Sequence, residues 1–161
     1  MSFEIESLKE KDVEESAKIL IQSLGNQVPA IFQDVKALGR AIYGPHAITL
    51  IAKKSGKIIG IINGTATAQP TIAFLGVTDP ESAREGLGSV LVDKFLEHVK
   101  SQFPSISAVR TTLPADFPEA IALYSSKGFV VEGFVKDYHL AQGRDMVFLK
   151  KSLARSATPV S

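Results

Sequence analysis

The fold is decided by residues 74–99, FLGVTDPESAREGLGSVLVDKFLEHV. An apolar segment at the start predicts a strand, a polar loop follows at 78–85, and this loop leads into Gly86-Leu87-Gly88. Beyond these glycines, apolar residues recur with the spacing of one buried helical face. They are Leu91, Val92, Phe95, Leu96 and Val99. The stretch therefore predicts a strand, a glycine-containing loop and a helix in direct succession.

The start of this helix has the properties of an anion-binding site. The first backbone N–H groups of a helix have no internal partner, and the helix dipole places partial positive charge at that end. Gly86 and Gly88 have no Cβ, so a bulky anion can approach their backbone, and Arg84 can add a guanidinium. The pattern predicts a phosphate or pyrophosphate site. The alternative is a simple tight turn, because so short a motif often matches by chance.

The composition is that of one ordinary globular domain, because 161 residues with 45% hydrophobic and 22% charged side chains support a single core. A net charge of +1 argues against a broad nucleic-acid surface. The absence of cysteine excludes disulfides, thiolate metal sites and a cysteine nucleophile, and three scattered histidines do not predict a zinc site. No apolar run has the roughly 18 residues that span a bilayer. We therefore expect a cytoplasmic protein without metal.

The hydrophobic pattern along the chain predicts an α/β fold with a mixed sheet. Strands are predicted at residues 3–8, 47–53, 57–67, 71–77, 106–112, 129–135 and 145–151. Helices are predicted after a capping box at Asp12 and Glu15, through Val35, after Gly88 and from Pro118. This order gives a mostly antiparallel sheet of about seven strands with about four helices on both faces. We expect one domain at 1–153 and a disordered tail at 154–161.

Three segments in this order resemble the GNAT-type N-acetyltransferase family. The segment AREGLG at 83–88 is similar to the family's Arg/Gln-x-x-Gly-x-Gly/Ala loop. The segment EAIALY at 119–124, followed by KGF at 127–129, resembles its A-x-x-L-Y-x-x-x-G-F motif, and 145–151 resembles its last strand. The likeness covers nearly the whole chain. It departs from the family at Ala83, where Arg or Gln is usual, and at Pro118, where asparagine is frequent.

The resemblance implies acetyl transfer from acetyl-CoA to a primary amine by direct attack on the thioester. It assigns the pantetheine arm and the thioester carbonyl to one strand edge, and the pyrophosphate to the loop and helix start. The cofactor-binding residues so implied are Leu75, Gly76, Val77, Arg84, Glu85, Gly86, Leu87, Gly88 and Ser89. Tyr124 would be the general acid that protonates the departing thiolate. The alternative for Tyr124 is an ordinary aromatic residue of an amphipathic helix.

The general base and the acceptor site are left open. The candidates for the base are Asp79, Glu81, His46 and His139, each of which is also an ordinary loop residue, whereas His98 is set aside beside charged neighbours. The acceptor would lie between the segments 25–34 and 136–144. The first segment offers Gln27, Val28, Ile31 and Phe32, of which we expect Ile31 and Phe32 to pack in the core. No acidic cluster points to a polyamine.

Two other functions fit parts of the sequence. A non-catalytic acyl-CoA-binding or sensor module on the same fold would agree with Ala83 and with the unassigned base. A nucleotide-binding domain would use Gly86 and Gly88, but Leu91 stands where a third fingerprint glycine belongs and there is no P-loop Gly-Lys-Ser/Thr. The expected partner is a small-molecule or peptide amine, without nucleic acid or membrane. The apolar C-terminal strands could supply a homodimer interface.

Overall fold

The computed structural model describes residues 2–138 and 143–153. Seven strands in this part of the chain form one sheet. Its strands are β1 (Glu4–Ser7), β2 (Ala47–Lys54), β3 (Lys57–Thr65), β4 (Thr71–Val77), β5 (Ala108–Pro114), β6 (Val130–Tyr138) and β7 (Arg144–Ser152). The spatial order is β1-β2-β3-β4-β5-β7-β6. Every neighbouring pair is antiparallel except β4 with β5. The predicted mixed, mostly antiparallel sheet is confirmed.

Helices cover both faces of this sheet. They are α1 (Val13–Leu24), α2 (Val35–Ile42), α3 (Pro80–Arg84), α4 (Leu87–Gln102) and α5 (Pro118–Ser126). On one face α1 and α2 bury Leu20 and Leu38 against β2 and β3, and on the other face α4 buries Phe95. The expected positions of four helices are thus confirmed. The predicted tail at 154–161 lies outside the described residues.

Two local predictions at helix starts are wrong. The segment predicted as a loop at 78–85 contains α3, because the Asp79 carboxylate accepts a hydrogen bond from Ser82 N at 3.1 Å and Pro80 suits a first turn. Asp12 makes no capping hydrogen bond with its side chain. Its carboxylate instead accepts from Lys53 Nζ at 2.8 Å, so a charge-assisted contact between distant segments replaces the local cap.

The strands β4 and β5 separate soon after they meet. Their parallel pairing comprises Thr71 with Arg110 and Ile72 with Thr111, although β4 continues to Val77. Beyond Ile72, the edge of β4 that faces β5 therefore has no strand partner among the described residues. Backbone N–H and C=O groups need partners, so this edge is open to a ligand.

A β-bulge accompanies the separation. Gly64 of β3 pairs with Ile72, whereas the preceding Asn63 pairs with Phe74. Ala73 is thus the additional residue of β4 at this point. A bulge bends its strand and increases the local twist, and this bulge lies directly where the pairing of β4 with β5 ends.

The glycine content of β3 follows from its contact with α4. A Cβ on Gly64 would lie 2.5 Å from Phe95 Cζ and 2.6 Å from the carbonyl oxygen of Thr71. On Gly60 it would lie 3.0 Å from side-chain atoms of Leu87 and Leu91. Gly60 and Gly64 therefore pack closely against α4, and Gly64 also lies at the β-bulge.

We expect Gly64→Ala to lower the free energy of unfolding by about 2 kcal/mol, since the added methyl group overpacks the core against backbone as well as side chain. The matched control is Gly133→Ala in β6, where a Cβ would have ordinary contact with Phe148 Cβ at 3.8 Å. This control should change stability by no more than about 0.5 kcal/mol. Urea unfolding measures both, and equal losses would contradict the packing described here.

Candidate active site

A cleft of about 640 Å³ occupies the gap between β4 and β5. Its walls come from the α1–α2 connection, the end of β3, the separated parts of β4 and β5, the start of α4, one side of α5, and the facing ends of β6 and β7. Most of the lining is apolar, and a few polar side chains reach it. Pockets of this kind, with few convergent polar groups, are typical of ligand sites.

The structure brings only part of the implied cofactor set to the lining of the cleft. Leu75, Val77 and Gly88 line it, and so does Ala83. Gly76 faces α1 instead, because a Cβ there would lie 2.7 Å from Ser23 Oγ. The remaining implied residues lie at the end of α3 and the start of α4, next to the cleft; they are Arg84, Glu85, Gly86, Leu87 and Ser89.

The first N–H groups of α4 have no acceptor within the helix, whereas the N–H groups of Glu85 and Gly86 already donate to carbonyl oxygens of α3. Gly86 adopts φ +91° as the residue before the helix, a conformation that favours glycine. The Leu87 side chain is fully buried and anchors the first turn. A Cβ on Gly86 would meet no atom within 4 Å, so the space beside it is open. Arg84 is exposed and, within the described residues, forms no ion pair.

Tyr124 is both a core residue and a lining residue of the cleft. Its side chain is 2% exposed, and its ring packs edge-on against Phe129 with centroids 5.2 Å apart. Burial raises the pKa of the Tyr124 phenol, which lies within hydrogen-bond reach of Thr111. Thr111 Oγ1 donates its one proton to the Ile72 carbonyl oxygen at 3.1 Å, at the last pair of β4 and β5, so the phenol is the donor toward Thr111. The phenol therefore stays protonated at neutral pH, as a general acid must.

The three candidate bases among the described residues, Asp79, Glu81 and His46, do not line the cleft. Asp79 and Glu81 lie 3.6 and 3.4 Å from Lys54 Nζ, and the hydroxyl and backbone N–H of Ser82 lower the pKa of Asp79 below its usual value. A lowered pKa makes a carboxylate a poor base at neutral pH. His46 is exposed outside the lining of the cleft, and His139 lies outside the described residues.

The cleft contains polar residues that the sequence did not single out. They include Asn63, Glu119, Tyr138 and Arg144. Arg144 donates to Asp116 Oδ1 at 3.1 Å, and Glu119 is an exposed residue of the first turn of α5. The sequence does contain one indication that Asn63 is a site residue, because it is a polar residue within the apolar run of β3. The positions of the other polar residues in the cleft follow only from the tertiary fold.

The α1–α2 connection forms one wall of the cleft, but its residues are distributed differently from the prediction. Gln27 and Phe32 line the cleft, and Phe32 packs edge-on against Phe74 at 6.4 Å between centroids. Val28 is fully buried in the core. The expectation of core packing is wrong for Ile31, which is 74% exposed because a 3-10 turn at Ala30–Phe32 directs it outward.

Two further features concern metal and membrane binding. Among residues 2–138 and 143–153, no three His, Asp or Glu side chains come close enough together to bind a metal ion. None of the helices in the described part of the chain combines the length and hydrophobicity that crossing a bilayer requires.

Comparison with known proteins gives one family and many similar folds. A model of the acetyltransferase (GNAT) family matches residues 18–129. The ribosomal-protein-S18-alanine N-acetyltransferase from Escherichia coli has 18% identity, with 99% of each chain covered and a TM-score of 0.81. The IAA acetyltransferase from Bacillus cereus ATCC 14579 has 20% identity over 94% of this chain and 100% of that chain, with a TM-score of 0.70.

A third similar structure contains mutant forms of the spermidine/spermine N-acetyltransferase SpeG from Vibrio cholerae. It has 15% identity over 94% of this chain and 95% of that chain, with a TM-score of 0.69. No curated protein sequence matches the chain. At identities this low, the similar structures establish the fold alone.

The burial of Tyr124 has a measurable effect on alkaline stability. The unfolded phenol ionises near pH 10, whereas the folded one keeps its proton to higher pH, so folding stability is lost as pH rises above the unfolded value. We expect the parent protein to lose about 1.4 kcal/mol per pH unit there relative to Tyr124→Phe. Urea unfolding between pH 8 and 11 measures this difference. Tyr43→Phe, at a residue that is 48% exposed, should behave as the parent does, and parallel curves for all three proteins would be the contrary result.

Proposed function

Because the chain belongs to the acetyltransferase (GNAT) family, we propose that it transfers an acetyl group from acetyl-CoA to a primary amine. The family is one of acyltransferases that use acetyl-CoA as co-substrate, and the fold agrees with this membership. The proposal is supported above all by the separation of β4 from β5. Around that gap lie an open strand edge, a helix start suited to anions, and the protonated phenol of Tyr124.

The residues near the gap fit the parts of acetyl-CoA. We assign the pyrophosphate to the stretch from Arg84 to Ser89, where the first N–H groups of α4 have no acceptor in the helix and helix geometry favours anions, with the Arg84 side chain as an additional donor. The pantetheine arm would run along the edge of β4 at Leu75, Gly76 and Val77. An N–H of β4 beyond Ile72, where pairing with β5 has ended, would face the thioester carbonyl and stabilise its developing negative charge.

The chemistry then requires one bond to form and one to break. The amine nitrogen attacks the thioester carbon, the new N–C bond forms, and the C–S bond breaks. Tyr124 gives its proton to the departing sulfur and regains one from solvent, while the proton lost by the amine passes to water that enters the open cleft. A protonated phenol in a buried position suits this role.

The acceptor is an amine that does not need an acidic pocket. The similar structures named for ribosomal protein S18 and for spermidine or spermine differ widely in acceptor. In the described part of the cleft, Glu119 is the one carboxylate in the lining. A neutral site of this kind suits a primary amine with little other positive charge better than a polyamine. The cytoplasmic location, the homodimer and the domain bounds 1–153 remain predictions.

Gly86→Glu tests the proposed pyrophosphate site, with Gly86→Gln as its matched control. Both side chains strain a residue at φ +91°, but only Glu adds a negative charge next to the anion. We expect calorimetric titration to show acetyl-CoA binding by the parent, weakened binding by Gly86→Gln, and at least about tenfold weaker binding again by Gly86→Glu. Absence of binding by the parent would refute the use of acetyl-CoA, and equal affinities of the two variants would refute the assigned anion site.

Tyr124→Phe tests the general acid. With a panel of primary amines, turnover should fall by about a hundredfold, in the range that proton transfer contributes, while acetyl-CoA affinity stays unchanged. Because the chain has no cysteine, a thiol reagent reports released CoA without background from the protein. The control is Tyr43→Phe, the same chemical change outside the lining of the cleft. Unchanged turnover of Tyr124→Phe would remove this tyrosine from the mechanism.

A further inference from the structure

We propose that Asn63 positions the acceptor amine by accepting a hydrogen bond from its N–H on the side-chain oxygen Oδ1. Asn63 lies in β3 and is only 4% exposed, yet it lines the cleft. The inference rests on the proposed function, since it concerns the same site. It assigns a role to a residue that belongs to none of the three sequence segments that resemble the family.

The orientation of the Asn63 amide is determined by its neighbours. Thr49 Oγ1 lies 2.6 Å from the carbonyl oxygen of Ile42, and Asn63 Nδ2 lies 2.8 Å from the same Thr49 hydroxyl. A carbonyl can only accept, and a hydroxyl has one proton to donate. Thr49 therefore donates to Ile42 and must accept from Asn63. The amide group nearest Thr49 is thus the nitrogen, which leaves Oδ1 as the atom available to a ligand.

The oxygen Oδ1 has no donor within the described residues, and it is accessible. No hydrogen bond to it comes from another described side chain or from the described backbone. In the same part of the chain, the side-chain atom that is sealed from solvent without a partner is Ser16 Oγ, not Asn63 Oδ1. A nearly buried carbonyl oxygen without a donor is costly unless a ligand or water supplies one. Access to it is from the cleft that Asn63 lines.

The position of Asn63 relates it to the reacting atoms. It pairs with Phe74, directly beside the bulge at Ala73 and one pair from the point where β4 leaves β5. Asn63 shares a face of β3 with Ile61, which belongs to the hydrophobic core between the sheet and α1 and α2. Tyr124 belongs to the hydrophobic core on the opposite face of the sheet. The two polar groups therefore approach the start of the gap from opposite faces of the sheet, as groups serving the incoming amine and the departing thiolate would.

The chemistry of an amide oxygen defines the role. It accepts an N–H hydrogen bond but is too weakly basic to take the proton, so Asn63 is a positioning residue rather than the missing base. When one N–H of a neutral amine is bound to Oδ1, the lone pair of the nitrogen is restricted in direction. Such orientation accelerates attack without any change in the nucleophile itself. An amide also carries no charge that would hold the amine as an unreactive ammonium ion.

The test compares Asn63→Leu with Thr49→Val, using primary alkylamines as probes and acetyl-CoA as donor. Both variants remove the hydrogen bond between the two residues, but only Asn63→Leu removes Oδ1. We expect Asn63→Leu to raise the KM of the amine or lower kcat/KM by about tenfold, the loss of one hydrogen bond. Thr49→Val, which keeps Oδ1 but releases the amide from its fixed orientation, should cost less, about threefold, and both variants should keep the acetyl-CoA affinity of the parent. If Asn63→Leu does not fold, Asn63→Ser, whose shorter side chain also lacks Oδ1, replaces it.

The outcomes separate this proposal from the proposed function. Equal losses in the two variants would make Asn63 a structural residue of the β2–β3 network and overturn the inference, as would unchanged amine kinetics in Asn63→Leu. A parent that binds acetyl-CoA but acetylates none of the amines would overturn the amine-acceptor part of the proposed function together with this inference. A parent that does not bind acetyl-CoA would overturn the proposed function at its first step.

Discussion

The end of backbone pairing between β4 and β5 is the constraint on which the rest of the structure depends. A strand that continues without its neighbour leaves peptide groups that must find partners elsewhere. In this chain they face a cleft rather than the core, and the bulge at Ala73 lies directly where the pairing ends. The elements around it are placed accordingly, because α4 begins at one end of the separated strands and α5 covers the side with Tyr124.

The two faces of the sheet supply different chemistry to this gap. On the side of α4 and α5, burial keeps the phenol of Tyr124 protonated and Thr111 connects it to the last strand pair. On the side of α1 and α2, the chain from Ile42 through Thr49 fixes one amide of Asn63. Neither group is charged. The carboxylates of Asp79 and Glu81, at the start of α3, form ion pairs with Lys54. The two polar groups that approach the gap from the two faces are therefore both uncharged.

Much of the fold could be predicted from the sequence because its signals are local. The alternation in 71–77, the helical spacing after Gly88 and the turn at Ser55-Gly56 each depend on a few neighbouring residues. The errors at Asp12 and Ile31 have a different origin. Asp12 is bound by Lys53, forty-one residues away, and Ile31 is directed outward by a 3-10 turn that the hydrophobic pattern does not encode. Within the site, Tyr124 and the glycine loop belong to recognisable sequence motifs. The role of Asn63 depends instead on its contacts with Thr49 and, through it, Ile42.

The open edge of β4 also couples ligand binding to the stability of the folded protein. Any molecule whose amide groups pair along Ala73 to Val77 takes the position of an absent strand and completes the ladder that β5 leaves unfinished. The two parts of the sheet, β1 to β4 and β5 to β7, then share a common neighbour where they otherwise have none. Because the unfolded chain offers no such edge, the free energy of that pairing adds to the stability of the folded protein. A bound molecule of this kind would occupy the position of an eighth strand in the seven-stranded sheet.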